Sequence, residues 1–304
     1  YDIVVLDSFV YDQHFAPAWA TVIKGSIGDK AILDDIFTRY HIHAVMHFAG
    51  SIEVGESVKR PDLFYHNNVL NSWVLLDAMR RHQIKNIIFS STCAVYGVPQ
   101  YLPLDEQHPL QPTNPYGKTK LAIEFMLHDF AAAFDMRYVA LRYFNAAGAL
   151  PDQGLGEQHR PETHVIPLLL RAAARSKPFT IFGTDYPTAD GTCVRDYIHV
   201  HDLARAHVLA LRYLEQGGDC DVFNLGTGVG YSVQQLIAVA QAVCNKEIKT
   251  VIAPRRPGDV ATLVAQADKI QTILGWNNNT TIGLHKIVAD AWAWEQVRDH
   301  AERK

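Results

Sequence analysis

Residues 86–97 read Asn-Ile-Ile-Phe-Ser-Ser-Thr-Cys-Ala-Val-Tyr-Gly, and residues 115–120 read Pro-Tyr-Gly-Lys-Thr-Lys. The first stretch is a short apolar run that ends on three hydroxyls, the pattern of a buried strand bounded by a turn. The second opens a helical pattern, Tyr116–Ala133, after a Pro-rich loop. Toward the N-terminus the alternation repeats. Ile3–Leu6 and Thr21–Lys24 read as strands, Lys30–Arg39 as a helix, Ala44–Ala49 as an apolar run and Leu63–Arg81 as a long helix. Toward the C-terminus, Arg137–Tyr143 is the next strand. Such alternation predicts an α/β fold, a doubly wound parallel sheet with helices on both faces.

The second half is less regular. Turn-rich segments (Pro151–Pro161, Gly183–Gly191, Ala253–Asp259) separate helices near Val165–Arg175, His201–Leu214, Val233–Val243 and Gly283–Arg298. Short strands fall at Thr180–Phe182 and Val222–Leu225. This predicts a smaller α+β domain. A boundary near Gly148 gives domains 1–147 and 148–304 sharing one cleft, sizes usual for a chain of 304 residues.

Composition narrows the function classes. Apolar residues are 48% and charged residues 20%, a globular profile. The net charge of −4 is spread out, leaving no basic stripe for nucleic acid or membrane. No apolar run approaches the roughly 20 residues of a membrane helix. Cys93, Cys193, Cys220 and Cys244 are far apart, so neither a disulfide framework nor a zinc site is expected, and a reducing cytoplasm is. His41 with His43, and His199 with His201, lack a supporting carboxylate or cysteine pattern, so no metal is expected.

A dinucleotide fold normally opens with a strand, a Gly-rich turn and a helix whose N-terminus takes the pyrophosphate. Here the sequence enters on what reads as the second strand. Asp7 ends that strand, where an acidic residue accepts the ribose hydroxyls and repels a 2′-phosphate, favouring NAD over NADP; a plain polar strand end is the alternative. The turn Gly226-Thr-Gly-Val-Gly230 lies far downstream with other spacing and reads as a structural strand-to-helix turn. The chain is therefore expected to lack one β–α unit of roughly 30 residues. That would leave apolar strand edges unpaired.

Tyr116 and Lys120 form a Tyr-x-x-x-Lys, whose spacing puts phenol and ammonium on one helix face. A phenol titrates near ~10 and is a poor base at neutrality. Lowering it by about three units takes roughly 4 kcal/mol, about what one ammonium ~4 Å away supplies at an effective dielectric near 20. Ser90, Ser91 and Thr92 stand at the carboxyl end of a strand, the edge where open α/β sheets bind ligands. They fit either a hydroxyl turn or a hold on a substrate oxygen.

With these stretches in view, the sequence resembles the extended short-chain dehydrogenases/reductases, specifically the UDP-glucose 4-epimerases. The resemblance runs through His47-Phe-Ala-Gly50, Val54-Gly-Glu-Ser57, Asn67-Asn-Val69, Phe89–Gly97, Pro115–Lys120, Leu141-Arg-Tyr-Phe-Asn145, Asp190–His199, Asn224–Gly228 and Ala253–Asp259. It implies a Rossmann-type domain and a UDP-sugar domain, tightly held NAD, a homodimer and C4 inversion through a 4-keto sugar. By the same resemblance, Tyr116 is the base, Lys120 its partner and a nicotinamide-ribose ligand, and Thr92 holds the sugar O4. Asp7, Phe48, Ala49, Gly50, Asn67 and Phe144 contact NAD. Asn145, Phe182, Arg195, Arg256 and Asp259 hold UDP, the guanidinium forks suiting a diphosphate, and Leu263 gates the sugar. Thr92 stands where Ser is commoner, and Ser26 replaces an acidic residue near adenine. Cys93-Ala94 replaces the Asp-Glu pair that a 4,6-dehydratase wants. A 4-epimerase of another UDP-sugar, or a non-catalytic sugar-nucleotide-binding protein, are the alternatives.

Overall fold

The computed structural model describes residues 1–10, 17–159, 161–256, 258–277 and 282–302. Arg160 in the first turn-rich segment and Pro257 within Ala253–Asp259 lie outside these residues. The chain divides into two compact units. One holds Tyr1–Gly97, Leu110–Leu141 and Ala210–Val222; the other holds Val98–Pro109, Arg142–Leu209 and Phe223–Lys304. In place of one cut at Gly148, the main change-over falls at Leu141–Arg142, and segments 98–109 and 210–222 belong with the opposite half.

In the first unit, β1 (Ile3–Asp7) pairs in parallel with β2 (Ala20–Lys24), Ile3 opposite Ala20 and Asp7 opposite Lys24. Helix α1 (Lys30–Arg39) starts where Asp29 accepts from the amides of Ala31 and Ile32, satisfying two N-terminal donors. Then come β3 (Ala44–His47), α2 (Val54–Lys59), α3 (Pro61–Phe64) and α4 (Asn71–Arg81). A π-helical turn, Tyr65–Leu70, joins α3 to α4, so the helix expected over Leu63–Arg81 is not uniform. Strand β4 (Asn86–Thr92) pairs in parallel with β3, Val45 opposite Ile87. Helix α5 (Pro115–Phe134) begins with Asn114 as N-cap and Pro115 at its first position, both favoured there, and ends at Asp135 in the left-handed region. Strand β5 (Arg137–Tyr143) follows.

The sheet order is β3-β4-β5-β9, with β9 at Asp221–Leu225, while β1 and β2 form a separate pair. The strands of this unit thus fall into two sheets. The unit's core packs Leu33, Leu76, Met79, Ile87, Phe89 and Ile123, all nearly or fully buried. Burying such a side chain contributes about 1.5–3 kcal/mol each.

The second unit holds β6 (Asn145–Ala147), α6 (Val165–Arg175), β7 (Phe179–Phe182) and β8 (Val194–His199). Helix α7 (Val200–Glu215) leads out of it. After β9 come β10 (Gly230–Ser232), α8 (Val233–Cys244), β11 (Thr250–Ala253), β12 (Thr262–Leu263), α9 (Asp268–Leu274) and α10 (Leu284–Glu302). The turn 226–230 feeds α8 through a capping box at Ser232 and Gln235, a strand-to-helix connection. Strand β8 is the hub: β6 and β12 flank it in parallel and β10 antiparallel. Its core gathers α6, α8 and α10 around Leu170, Leu236, Ala240 and Val288. Among the described residues, no helix is long and apolar enough to cross a membrane.

Candidate active site

In the first unit the geometry converges on the end of β4. Thr92 caps the one-turn 3₁₀ helix Cys93–Val95, its Oγ1 accepting from the Ala94 amide at 3.2 Å. The start of α5 packs on this turn. A Cβ at Gly117 would lie 2.5 Å from the Ala94 carbonyl oxygen, so only glycine permits the approach. Asn114 Oδ1 accepts from the Gly117 amide at 2.9 Å and fixes where the helix begins. Tyr116 (9% exposed) and Lys120 (2%) then stand one turn apart beside the strand end.

Lys120 Nζ donates to the Ser90 carbonyl at 2.9 Å and lies 4.9 Å above the Phe89 ring. Burial pushes the ammonium down to about 8, because the charged form has lost its water. A buried ammonium holding one carbonyl keeps donors for further oxygens, which fits the ribose hydroxyls of NAD and a phenolate. Below Lys120 runs a polar chain. Asn68 Nδ2 donates to Thr119 Oγ1 at 3.1 Å and to the Ser51 carbonyl at 3.0 Å, while its Oδ1 takes the Ser51 amide at 2.7 Å. The Asn68 carbonyl accepts from Ser72, whose Oγ lies 2.7 Å from His47 Nε2. His47 is held down to about 3 by burial first and by the Lys120 charge second, so it is neutral.

The residues expected at NAD lie mostly at strand ends. Asp7 closes β1, its Oδ1 accepting from the Phe9 amide at 2.7 Å. Phe48 (57% exposed) and Ala49 follow β3 as an exposed apolar rim, with Gly50 half-buried behind them. Asn67 Nδ2 donates to Ser51 Oγ at 2.9 Å, so its amide shapes the same loop. Phe144 is in the second unit and buried, its amide donating to the Leu225 carbonyl at 3.1 Å.

The second unit collects the residues expected at UDP. Asn145 Nδ2 donates to the Asp196 carbonyl at 2.8 Å. On β8, Arg195 stands opposite Leu263 of β12. Arg195 Nη2 lies 3.9 Å from Asp259 Oδ1, and Arg256 Nε donates to Asp259 Oδ2 at 3.1 Å. The Arg256 guanidinium also covers the Phe182 ring at 4.9 Å. Two guanidiniums on one carboxylate leave a surplus positive charge beside an aromatic face, a setting for a diphosphate and a base.

Some residues became visible only in three dimensions. Asp196, buried between Arg195 and Tyr197, accepts from the amides of Thr227 (2.9 Å), Gly228 (3.0 Å) and Ala265 (3.3 Å) and from Thr227 Oγ1 (2.7 Å). Burial raises its carboxyl against these bonds, and it pins the turn 226–230 and the end of β12 to β8. Glu157, His159, Glu162 and His164 bring ligand atoms within 4.8 Å of one another. Within that knot Glu162 already pairs with Arg171 at 3.0 Å and takes the Thr163 and His164 amides.

Comparison with known proteins agrees with this geometry. Residues 1–226 match the family described as NAD dependent epimerase/dehydratase. A UDP-glucose 4-epimerase of Halalkalibacterium halodurans is 48% identical over 299 residues, covering 98% of this chain and 89% of the relative. One of Rhizobium leguminosarum bv. trifolii is 48% identical over 292 residues, 96% and 89% of the two chains. The crystal structure of UDP-glucose 4-epimerase from Brucella ovis in complex with NAD superposes with a TM-score of 0.90 at 43% identity, covering 96% of this chain and 90% of that one. The structure from Bifidobacterium longum in complex with NAD+ and UDP gives a TM-score of 0.90 at 37% identity, covering 98% and 92%. The chain therefore belongs to the NAD dependent epimerase/dehydratase family and, within it, to the UDP-glucose 4-epimerases.

Proposed function

We propose that this chain interconverts UDP-galactose and UDP-glucose with Tyr116 as the base, Lys120 as its cationic partner and Thr92 as the hydroxyl that holds the sugar O4. One arrangement carries the reading: Tyr116 and Lys120 stand one turn apart on α5, and Gly117 between them lets that turn seat on the end of β4 that carries Thr92. NAD, when bound, would supply a reversible hydride acceptor for C4, so the cycle would have no net oxidation. Tyr116 takes the C4 hydroxyl proton and later gives it back; positioned proton transfer of this kind is worth about 10²–10⁴ in rate. The Lys120 ammonium lowers the cost of the phenolate. Arg195, Arg256 and Asp259, with Phe182, hold the nucleotide, so the 4-keto sugar can turn and present its other face. Asp7, Phe48, Ala49, Gly50, Asn67 and Phe144 contribute to NAD binding. Leu263, beside Arg195 on the neighbouring strand, limits bulk at the sugar.

Incubation of the NAD-loaded chain with UDP-galactose and analysis for UDP-glucose tests the substrate. No conversion of that pair, with turnover of UDP-N-acetylglucosamine, UDP-glucuronate or a UDP-pentose instead, would assign another sugar to the same site.

The protein is also read as a homodimer. Supporting this, Tyr65, His66, Val69, Leu70, Trp73 and Met126 line an apolar concavity on the π-turn, α4 and α5, and Leu63 and Phe125 are exposed nearby. A surface this apolar on a folded unit calls for a partner, and a second copy of the same face satisfies it symmetrically. Trp73→Glu should halve the mass measured by light scattering. The wide spacing of the four cysteines in the sequence supports a cytoplasmic setting.

A further inference from the structure

Glu124 lies one turn beyond Lys120 on α5 and is only 6% exposed. A carboxylate this deep is costly unless hydrogen-bonded. Ser91, itself fully buried, donates its Oγ to Glu124 Oε1 at 2.5 Å. In sequence Ser91 stands between Ser90, whose carbonyl takes Lys120 Nζ, and Thr92. Two successive residues of the strand end are therefore fastened to two successive turns of the helix. One hydrogen bond acts as a pivot, whereas two, with Gly117 seated on Ala94, define an orientation.

We propose that Glu124 is a positioning residue for the epimerisation: through Ser91 it sets the register and tilt of α5 against the end of β4, and with them the separation of the Tyr116 and Thr92 hydroxyls. The inference rests on the reading of Tyr116 and Thr92 as base and O4 ligand. Glu124 acts through Ser91, not on the sugar. Its loss lets the helix start drift relative to the strand end, and a misplacement of about 1 Å can cost on the order of a hundredfold in rate.

The test uses the full NAD-loaded chain. Glu124→Ala should lower kcat about tenfold while KM for UDP-galactose stays within about twofold, because the nucleotide residues lie in the other unit. Glu124→Gln keeps an acceptor oxygen for Ser91 and should stay within about threefold of the parent. Ser91→Ala removes the tether from the other side. It should match Glu124→Ala, and the double variant should be no worse than either single one, as residues acting through one contact are non-additive. Parental kcat in Glu124→Ala overturns the proposal, and so do additive losses or a Gln variant as impaired as the Ala variant. If Glu124→Ala fails to fold, Ser91→Ala decides, and parental turnover in it is fatal to the idea. Tyr116→Phe run alongside separates the two levels. Near-parental activity there removes the reading of the site; loss there with full activity in Glu124→Ala removes only the positioning role.

Discussion

The Lys120 ammonium donates to the Ser90 carbonyl at 2.9 Å, two residues before Thr92. The cation of the helix and the hydroxyl of the strand end are thus set by the same stretch of backbone. The fold holds a charged group out of water here, at a cost in stability that the proposed role of Lys120 beside the Tyr116 phenol would account for.

That cost is measurable. Burial lowers Lys120 from 10.5 to about 8. Between those values the unfolded chain binds the proton and the folded one does not, so stability from this group rises with pH across that window. Below about 8 the full penalty applies, up to about 3 kcal/mol. Lys120→Met, measured without cofactor by urea unfolding, should be more stable than the parent at pH 7, with the advantage shrinking toward pH 10. The same variant should lose at least about a hundredfold in turnover.

His47 predicts acid sensitivity. Its folded value of about 3 lies below its ordinary 6.5, so the unfolded chain takes up the proton first as pH falls. Stability is intact above 6.5 and drains away from there toward 3. At pH 5 the loss from this group is about 2 kcal/mol. His47→Asn can still pair with Ser72 and cannot ionise. Its unfolding midpoint should change less between pH 7 and pH 5 than the parent's.

Gly117 should tolerate no side chain. The Cβ of Gly117→Ala would meet the Ala94 carbonyl oxygen at 2.5 Å, and backbone on both sides must move. A loss of about 1–3 kcal/mol is expected in thermal unfolding. Turnover should fall well beyond what that destabilisation explains at 25 °C, since the shift separates Tyr116 from Thr92.

Arg256 should report on the nucleotide. Charge-assisted hydrogen bonds contribute about 1.5–3 kcal/mol each. Arg256→Ala should therefore raise KM for UDP-galactose roughly tenfold or more, with kcat changed far less. Calorimetric titration with UDP alone should show the same weakening.

Much of this was legible in the sequence where period and chemistry coincide. Lys30–Arg39, Arg137–Tyr143 and Val165–Arg175 have in the structure the bounds that the sequence predicts, because the apolar spacing is regular there. The π-turn at Tyr65–Leu70 was not, since Tyr-His-Asn-Asn carries no periodic signal and its reason, the amide of Asn68 reaching Ser51 and Thr119, is tertiary. The stretch holding strand β8 carries a family motif in the sequence, but nothing local marks it as the hub of a sheet. Its burial depends on β6, β10 and β12, none longer than three residues. Glu124 and Asp196 look like ordinary polar residues until the fold encloses them. Arg256 and Asp259 are a local pair three residues apart, but only the resemblance puts Arg195 with them; nothing local says that a residue so much earlier in the sequence shares the Asp259 carboxylate.

The central claim is that the Tyr116 phenol moves the C4 proton. The most direct measurement is the steady-state rate of UDP-galactose epimerisation by NAD-loaded Tyr116→Phe, with UDP affinity measured on the same sample. The account predicts a fall in kcat of at least about a hundredfold with UDP affinity within a few-fold of the parent. A turnover close to the parent's, at unchanged affinity, would contradict it.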